Sequence, residues 1–366
     1  MNEKETLILQ IIQENPFITQ NEMAERTGLS RSAIAGYIST LTKQGKLLGR
    51  AYVIPNNTGF VCIGGANIDK KLQVNKKLIY GTSNPAFSTK ASGGVARNVA
   101  ENLGRLGSKV SLITVVGDDH EGQWLLDHTK RFVDVTPSQV WPEESTGTYT
   151  ALLNESGEME VALADMGIYD KVTVSFIEKR WGFLSSAGMI FLDTNFSTEV
   201  MEYVIKRCAQ EDLSLTITPV SSPKAKNLPN QLRGVTWLIA NQEEAEVISN
   251  HQIVTDGDYF KAAEEIVKKG VESAVITRGD KGLIYYTKAG EAGAVIPPSS
   301  INVKDVTGAG DSLVSGILYA SAKGFSTEDA CKLGVACSIL TLQTNETVNT
   351  SLNHSTLLET FHRYFK

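Results

Sequence analysis

The feature that most constrains this chain is an alternation that begins at Phe60. Short β-branched runs, "FVCIG", "VSLITVVG", "MIFLD", "SLTITPV", "WLIAN" and "SAVITRG", are separated by stretches with helical spacing, "ARNVAENLGRL", "DYFKAAEEIVKKG" and Ala309 to Lys323. Continuous apolar runs suit strands covered on both faces, and strands joined through helices run parallel. The expected fold class is therefore α/β, a doubly wound, mostly parallel sheet with helices on both sides. Two pieces break the pattern: "KKLQV", and "TGTYTALLN" with "EMEVALAD" joined by "ESG". They read as antiparallel strands, either an ordinary hairpin or a small β lid over residues 70–90 and 145–165, where ligands enter an open sheet.

The first 54 residues follow another rule. Leu7, Ile8, Ile11 and Ile12 recur at helical spacing and stop at Asn15-Pro16. "TQNE" is a capping box, with Thr19 and Glu22 exchanging bonds, and Gly28 closes the second helix. A third helix starts after Ser30, carries Ile34, Ile38 and Leu41 on one face and ends at Gly45. A β-like tail, "KLLGRAYVI", completes the segment, and "PNNTG", residues 55–59, reads as a linker to a domain of residues 60–366. This layout resembles the winged helix-turn-helix family. The resemblance implies DNA as a partner, with Arg31, Ser32 and Tyr37 on the exposed face of a recognition helix and Lys43, Lys46 and Arg50 on phosphates. From the residues alone, a protein-docking three-helix domain with a solvated basic face stays open.

With 366 residues and 42% hydrophobic content, the chain can bury a sizeable core. Its formal net charge of -6 argues against nucleic-acid binding by the whole, yet every charged residue from Leu29 to Arg50 is basic. No run approaches the ~18 apolar residues of a membrane helix, and "MNEKETLILQ" lacks a basic n-region. A cytoplasmic protein with no membrane partner is expected. Cys62, Cys208, Cys331 and Cys337 form no C-x-x-C pair, which gives no framework for structural zinc or disulfides.

The chemistry concentrates in "DVTGAGDSLVSG", Asp305 to Gly316. The amides of Gly308, Ala309 and Gly310 can converge at a helix N-terminus and make an anion hole. Asp311 puts a carboxylate beside it, where a substrate hydroxyl can give up its proton; a base beside an anion hole suits phosphoryl transfer. A capped helix start favoured by the dipole explains the same residues. Neither the P-loop nor the G-x-G-x-x-G fingerprint is present.

Other motifs bear on that choice. "DVTGAGD" resembles the C-terminal signature of the ribokinase-like (PfkB) family of sugar and nucleoside kinases, and "GGVARNVAENLGRLG" resembles its N-terminal one. "VGDDHEG", "NQEE" and "VITRGDKG" follow the family's order. The resemblance implies ATP and Mg²⁺ as cofactors, Asp311 as general base, and Gly308, Ala309 and Gly310 around the transferring phosphoryl group. It implies that Asn241 and Glu244 organise Mg²⁺ through water and that Thr277, Gly279 and Gly282 line the ATP side. Gly65, Asn67 and Asp69 match the substrate loop, Gly93, Gly94 and Asn98 its facing wall, and Asp305 the position associated with a bound K⁺. A homodimer is a further implication of both families.

Within the family, "GGVARN", "LDTNFS", "PVSSPKA" and "LADM" look most like pseudouridine kinases and related nucleoside kinases. The implied reaction is ATP-dependent phosphorylation of a nucleoside 5′-hydroxyl, with pseudouridine favoured; a sugar kinase of the ribokinase type, and a transcriptional regulator using the domain as a ligand sensor, are the alternatives. Val95 stands where a ribokinase has lysine, and Arg97 is compatible either with a second substrate hydroxyl or with a surface carboxylate.

Overall fold

The computed structural model describes residues 2–15, 18–47 and 59–366. Its centre is an eight-stranded sheet, in spatial order Ala292–Val295, Leu283–Thr287, Ser273–Thr277, Trp237–Asn241, Leu215–Thr218, Met189–Asp193, Phe60–Ile63 and Val110–Ile113. From Ser273–Thr277 to Val110–Ile113 every neighbouring pair is parallel, and the two pairings beyond Ser273–Thr277 are antiparallel. Alternation of side chains across the sheet makes two cores. Cys62, Leu112, Phe191, Ile239 and Val275 pack on one face with the helices Val95–Arg105, Ala309–Ala322 and Thr327–Leu342. Ile63, Ile113, Leu192, Ile217 and Ile276 pack on the other with Thr198–Glu211, Gln242–Ser249 and Asp256–Lys268. Each such side chain contributes about 1.5–3 kcal/mol of burial. An exposed ion pair such as Lys268 with Glu264, at 3.0 Å, adds about 0–1 kcal/mol, so burial and not charge holds the layers together.

One expected strand divides. "VSLITVVG" is Val110–Ile113 in the main sheet and Val115–Gly117 in a two-stranded parallel pair with Gln139–Trp141. The break falls at Thr114, whose carbonyl accepts from the Gln139 amide (3.0 Å) and whose amide donates to Ser138 Oγ (3.3 Å). Those bonds draw the chain away from the sheet edge.

A second sheet, in order Ala86–Gly93, Asn67–Val74, Thr148–Leu153 and Met159–Asp165, stands over the carboxyl ends of the parallel strands. Asn67–Val74 grows directly out of the first parallel strand through Gly64–Ala66. The chain therefore carries a four-stranded lid whose strand Ala86–Gly93 has no apolar alternation to announce it; its side chains are exposed up to Ala91.

At the N-terminus, helices Glu3–Glu14, Gln20–Thr27 and Arg31–Lys43 enclose a small core of Ile8, Ile12, Met23, Ile34 and Leu41. The Thr19–Glu22 capping box forms in both directions, Gly28 ends the second helix at φ 67°, and Ser30 Oγ accepts from the Ala33 amide. The expected β-like tail from Leu48 on, with Arg50 and the linker to Thr58, lies outside the described residues. No helix among the described residues is long and apolar enough to cross a membrane.

Candidate active site

The carboxyl ends of the parallel strands and the amino end of helix Ala309–Ala322 meet beneath the lid. Gly308 caps that helix in a left-handed conformation, φ 78°, and a Cβ there would collide with the Thr347 carbonyl oxygen. Only glycine meets both requirements, and the turn it allows starts the helix, with the Ala309 amide donating to the Val306 carbonyl at 3.3 Å. Asp311 lies in that first turn, half-buried, and its Oδ2 accepts from Asn98 Nδ2 at 2.7 Å. Burial pushes its carboxyl up to about 7; the Asn98 bond and Arg97 oppose the rise, while Asp193 and Asp69 add to it. A carboxylate poised near neutrality at the mouth of an anion hole can take a proton from a hydroxyl.

On the side expected to take the substrate, Asn67 Nδ2 donates to Asp69 Oδ1 at 2.7 Å. Burial raises the Asp69 carboxyl, against the Asn67 bond and the charges of Arg97 and Lys71. The two glycine pairs serve packing as well as access. A Cβ on Gly93 would overlap the Asp69 carboxylate, and one on Gly94 would overlap the Gly65 carbonyl, so the loop and its facing wall touch backbone to backbone.

Asp193, not singled out in the sequence, is the hub of this arrangement. It is wholly buried, and its carboxylate accepts from the amides of Gly65 (2.8 Å), Ala96 (3.2 Å) and Asn195 (2.9 Å) and from Asn195 Nδ2 (3.0 Å). It thereby ties the substrate loop, the start of helix Val95–Arg105 and the end of strand Met189–Asp193 together. Tyr169, also buried, clamps Ala66 from the other side: its hydroxyl accepts from the Ala66 amide at 2.9 Å and donates to the Ala66 carbonyl. The signal for Asp193 was an acid at the end of an apolar run, which is the ligand-bearing edge in such sheets.

Arg97 meets neither expectation set for it. It is buried, ion-paired with Glu101 one turn on, and donates Nη1 to the Ser92 carbonyl at 2.7 Å. Glu101 is shared with Arg105 at 2.7 Å. Burial pulls the Arg97 guanidinium down to about 10, with Asp69 and Asp311 acting against it. It stands behind the site as a fixed charge.

The residues expected on the nucleotide side lie in a cleft of about 830 Å³, in which Thr277, Gly279, Gly282, Ala309 and Gly310 meet an apolar wall that includes Ile296, Pro298, Leu313 and Ile339. Asn241 is the register partner of Thr277 on the adjacent strand. Asn241 and Glu244 form a capping box, the Glu244 carboxylate accepting from the Asn241 amide at 2.9 Å. Burial pushes Glu244 up to about 7, against the Asn241 bonds and helped by Glu243. Among the described residues no cluster of three His, Cys, Asp or Glu side chains could hold a metal. The donors fit a Mg²⁺ held largely by phosphate oxygens and water, with Glu244 behind the water.

Asp305 precedes the glycine turn and is not among the residues that line this cleft. Its Oδ1 accepts from the Thr307 amide (2.9 Å) and Oγ1 (2.7 Å), and its Oδ2 is 3.4 Å from Lys71 Nζ of the lid. Burial opposes, yet the Thr307 bonds and the Lys71 charge hold its carboxyl below the usual range.

In the N-terminal domain, Arg31, Ser32 and Lys43 are exposed and Lys46 is half-buried. Tyr37 is not on the open face: it is half-buried and packs against the three-helix core, because it lies one turn from Ile34 and Leu41. A Cβ on Gly45, just past this helix, would overlap the Ser185 side chain of the large domain.

Comparison with known proteins places the chain in a class. The pfkB family carbohydrate kinase model matches residues 57–354, and a winged helix-turn-helix DNA-binding model matches residues 1–47. The chain belongs to the pfkB carbohydrate kinase family and is an ATP-dependent sugar or nucleoside kinase with an N-terminal winged helix-turn-helix domain. An uncharacterized sugar kinase, YeiI, of Escherichia coli K12 is 29% identical over 98% of this chain and 97% of its own length. The pseudouridine kinase of the same organism is 33% identical over 80% of this chain and 93% of its own. An Arabidopsis thaliana ribokinase solved with ribose and ATP shares the fold at TM-score 0.72 and 17% identity, over 84% of this chain and 99% of that one.

Proposed function

We propose that this kinase phosphorylates the 5′-hydroxyl of a nucleoside, pseudouridine foremost, with Asp311 as the general base. The observation that carries the reading is the half-buried Asp311, pushed up to about 7 and bonded to Asn98 between the substrate loop and the Gly308–Gly310 turn. In the proposed reaction Asp69 and Asn67, with Gly65, Gly93 and Gly94 at the loop and wall, hold the other hydroxyls of the sugar, and the 5′-hydroxyl gives its proton to Asp311. Its oxygen bonds the γ-phosphorus of ATP as the bond to the β–γ bridging oxygen breaks, and ADP leaves. The amides of Gly308 and Gly310 would face the transferring group, joined by that of Ala309 on release of its 3.3 Å bond to the Val306 carbonyl. Thr277, Gly279 and Gly282 would border the nucleotide, and a bound Mg²⁺, organised through water by Asn241 and Glu244, would supply charge neutralisation on the phosphates. The preference for pseudouridine rests on the 33% identical relative of that name.

The test is incubation with Mg-ATP and a panel of nucleosides and pentoses, read by mass spectrometry. A nucleoside 5′-phosphate is expected, with Asp311→Asn lowering turnover about 10²- to 10⁴-fold. Pentose phosphate as the sole product moves the reading to a ribokinase-type sugar kinase; no product, with Asp311→Asn indistinguishable from wild type, sinks it.

A second activity, DNA binding through Arg31, Ser32, Lys43 and Lys46, is favoured by the match of residues 1–47 to a DNA-binding model. The chain would then be a regulator that is also an enzyme, acting as a homodimer on DNA.

A further inference from the structure

Side chains of strand Asn67–Val74 alternate between its two faces, so Asn67, Asp69 and Lys71 share one. Asn67 and Asp69 bond to each other on the substrate side, and Lys71, next along that face, reaches Asp305, in the turn that leads into the anion hole, at 3.4 Å. Lys70 points the other way and pairs with Glu121 at 3.3 Å, so the two neighbouring lysines do different jobs.

The family resemblance assigns Asp305 to K⁺, and the described residues do not fit a free cation at that carboxylate. Oδ1 is filled by the amide and hydroxyl of Thr307, and an ammonium stands at Oδ2. A K⁺ beside Oδ2 would meet a like charge within a few ångströms, which repels it. We propose that Lys71 is this chain's tethered substitute for a monovalent cation: it supplies the positive charge beside Asp305, sets the anion-hole turn without K⁺, and fastens the lid to the phosphate cradle. Lys71 is 46% exposed and Asp305 26%, so the pair adds little to the stability of the fold and its effect falls on the site.

The experiment measures ADP binding by calorimetry, and turnover where a substrate is in hand, in KCl, NaCl and tetramethylammonium chloride at equal ionic strength. Wild type is expected to give the same ADP affinity and turnover in all three salts. Lys71→Met, with a melting temperature close to wild type, is expected to bind ADP about 2- to 5-fold more weakly in tetramethylammonium and to recover in KCl, while Lys71→Arg keeps the wild-type pattern. Stronger binding or faster turnover of wild type in KCl overturns the proposal. A Lys71→Met protein that matches wild type in every salt does so too, as does wild type that binds no ADP. The turnover arm rests on the kinase reading and the binding arm does not, so a failed nucleoside panel and a failed cation test remain separate results.

Discussion

Asp311 shows how one residue's environment sets both function and cost. Its folded pKa of about 7 stands above its ordinary 3.8, so the folded chain keeps a proton that the unfolded chain releases between those values. The stability of the neutral form is complete below about 3.8 and is lost as pH rises through about 7, where the proposed base would become active. Two outcomes are expected. Turnover should climb about tenfold per pH unit below about 7 and level off above it, measured as kcat/KM against pH. Asp311→Asn cannot ionise, so it should melt above wild type at pH 8 and close to it at pH 4, by thermal denaturation in matched buffers. A variant that melts lower at both pH values would show that the charged carboxylate stabilises the turn, and the burial argument would fail.

Among the elements, the start of helix Ala309–Ala322 separates backbone need from chemical need. Gly308 has φ 78° and no room for a Cβ, whereas Gly310 has nothing within 4 Å of one. Gly308→Ala should cost at least about 1–3 kcal/mol in urea unfolding, from the left-handed strain alone. Gly310→Ala should leave stability equal or slightly higher, since alanine favours a helix by about 0.5–1 kcal/mol over glycine, yet raise the KM for ATP because the methyl enters the cleft. Equal stability loss in both would overturn the distinction. The same scale shows what the sequence made legible. Strands such as Met189–Asp193 were readable because both faces are buried and the run is continuously apolar. Ala86–Gly93 was not, since its exposed side chains leave no period, and the split at Thr114 was not, since threonine is a good strand residue and the cause lies in Ser138 and Gln139. Asp311 stood out through its glycines, while Asp193 is an unaccompanied acid whose four bonds come from three separate segments.

At the scale of the molecule, a nearly neutral N-terminal domain, its basic residues gathered from Arg31 to Arg50, shares a chain whose formal net charge is -6. The proposed DNA binding would rest on the few basic residues of the N-terminal domain working against that background, so it should be salt-dependent. Binding of the chain to its own upstream DNA, followed by anisotropy across a salt series, should give a log–log slope that Lys43→Ala makes shallower by about one unit. The domains also touch: Gly45, past the third helix, lies against Ser185, at the end of helix Trp181–Ser185, and the next strand, Met189–Asp193, ends in the acid that holds the substrate loop. A nucleoside that shifts that loop is therefore expected to change the DNA Kd. Linkage then requires DNA to change the nucleoside Kd by the same factor. Measuring both arms of this cycle decides it: a matched shift joins the kinase site to the DNA-binding helix, and equal DNA Kd values with and without saturating nucleoside would leave them energetically independent, whatever each does alone.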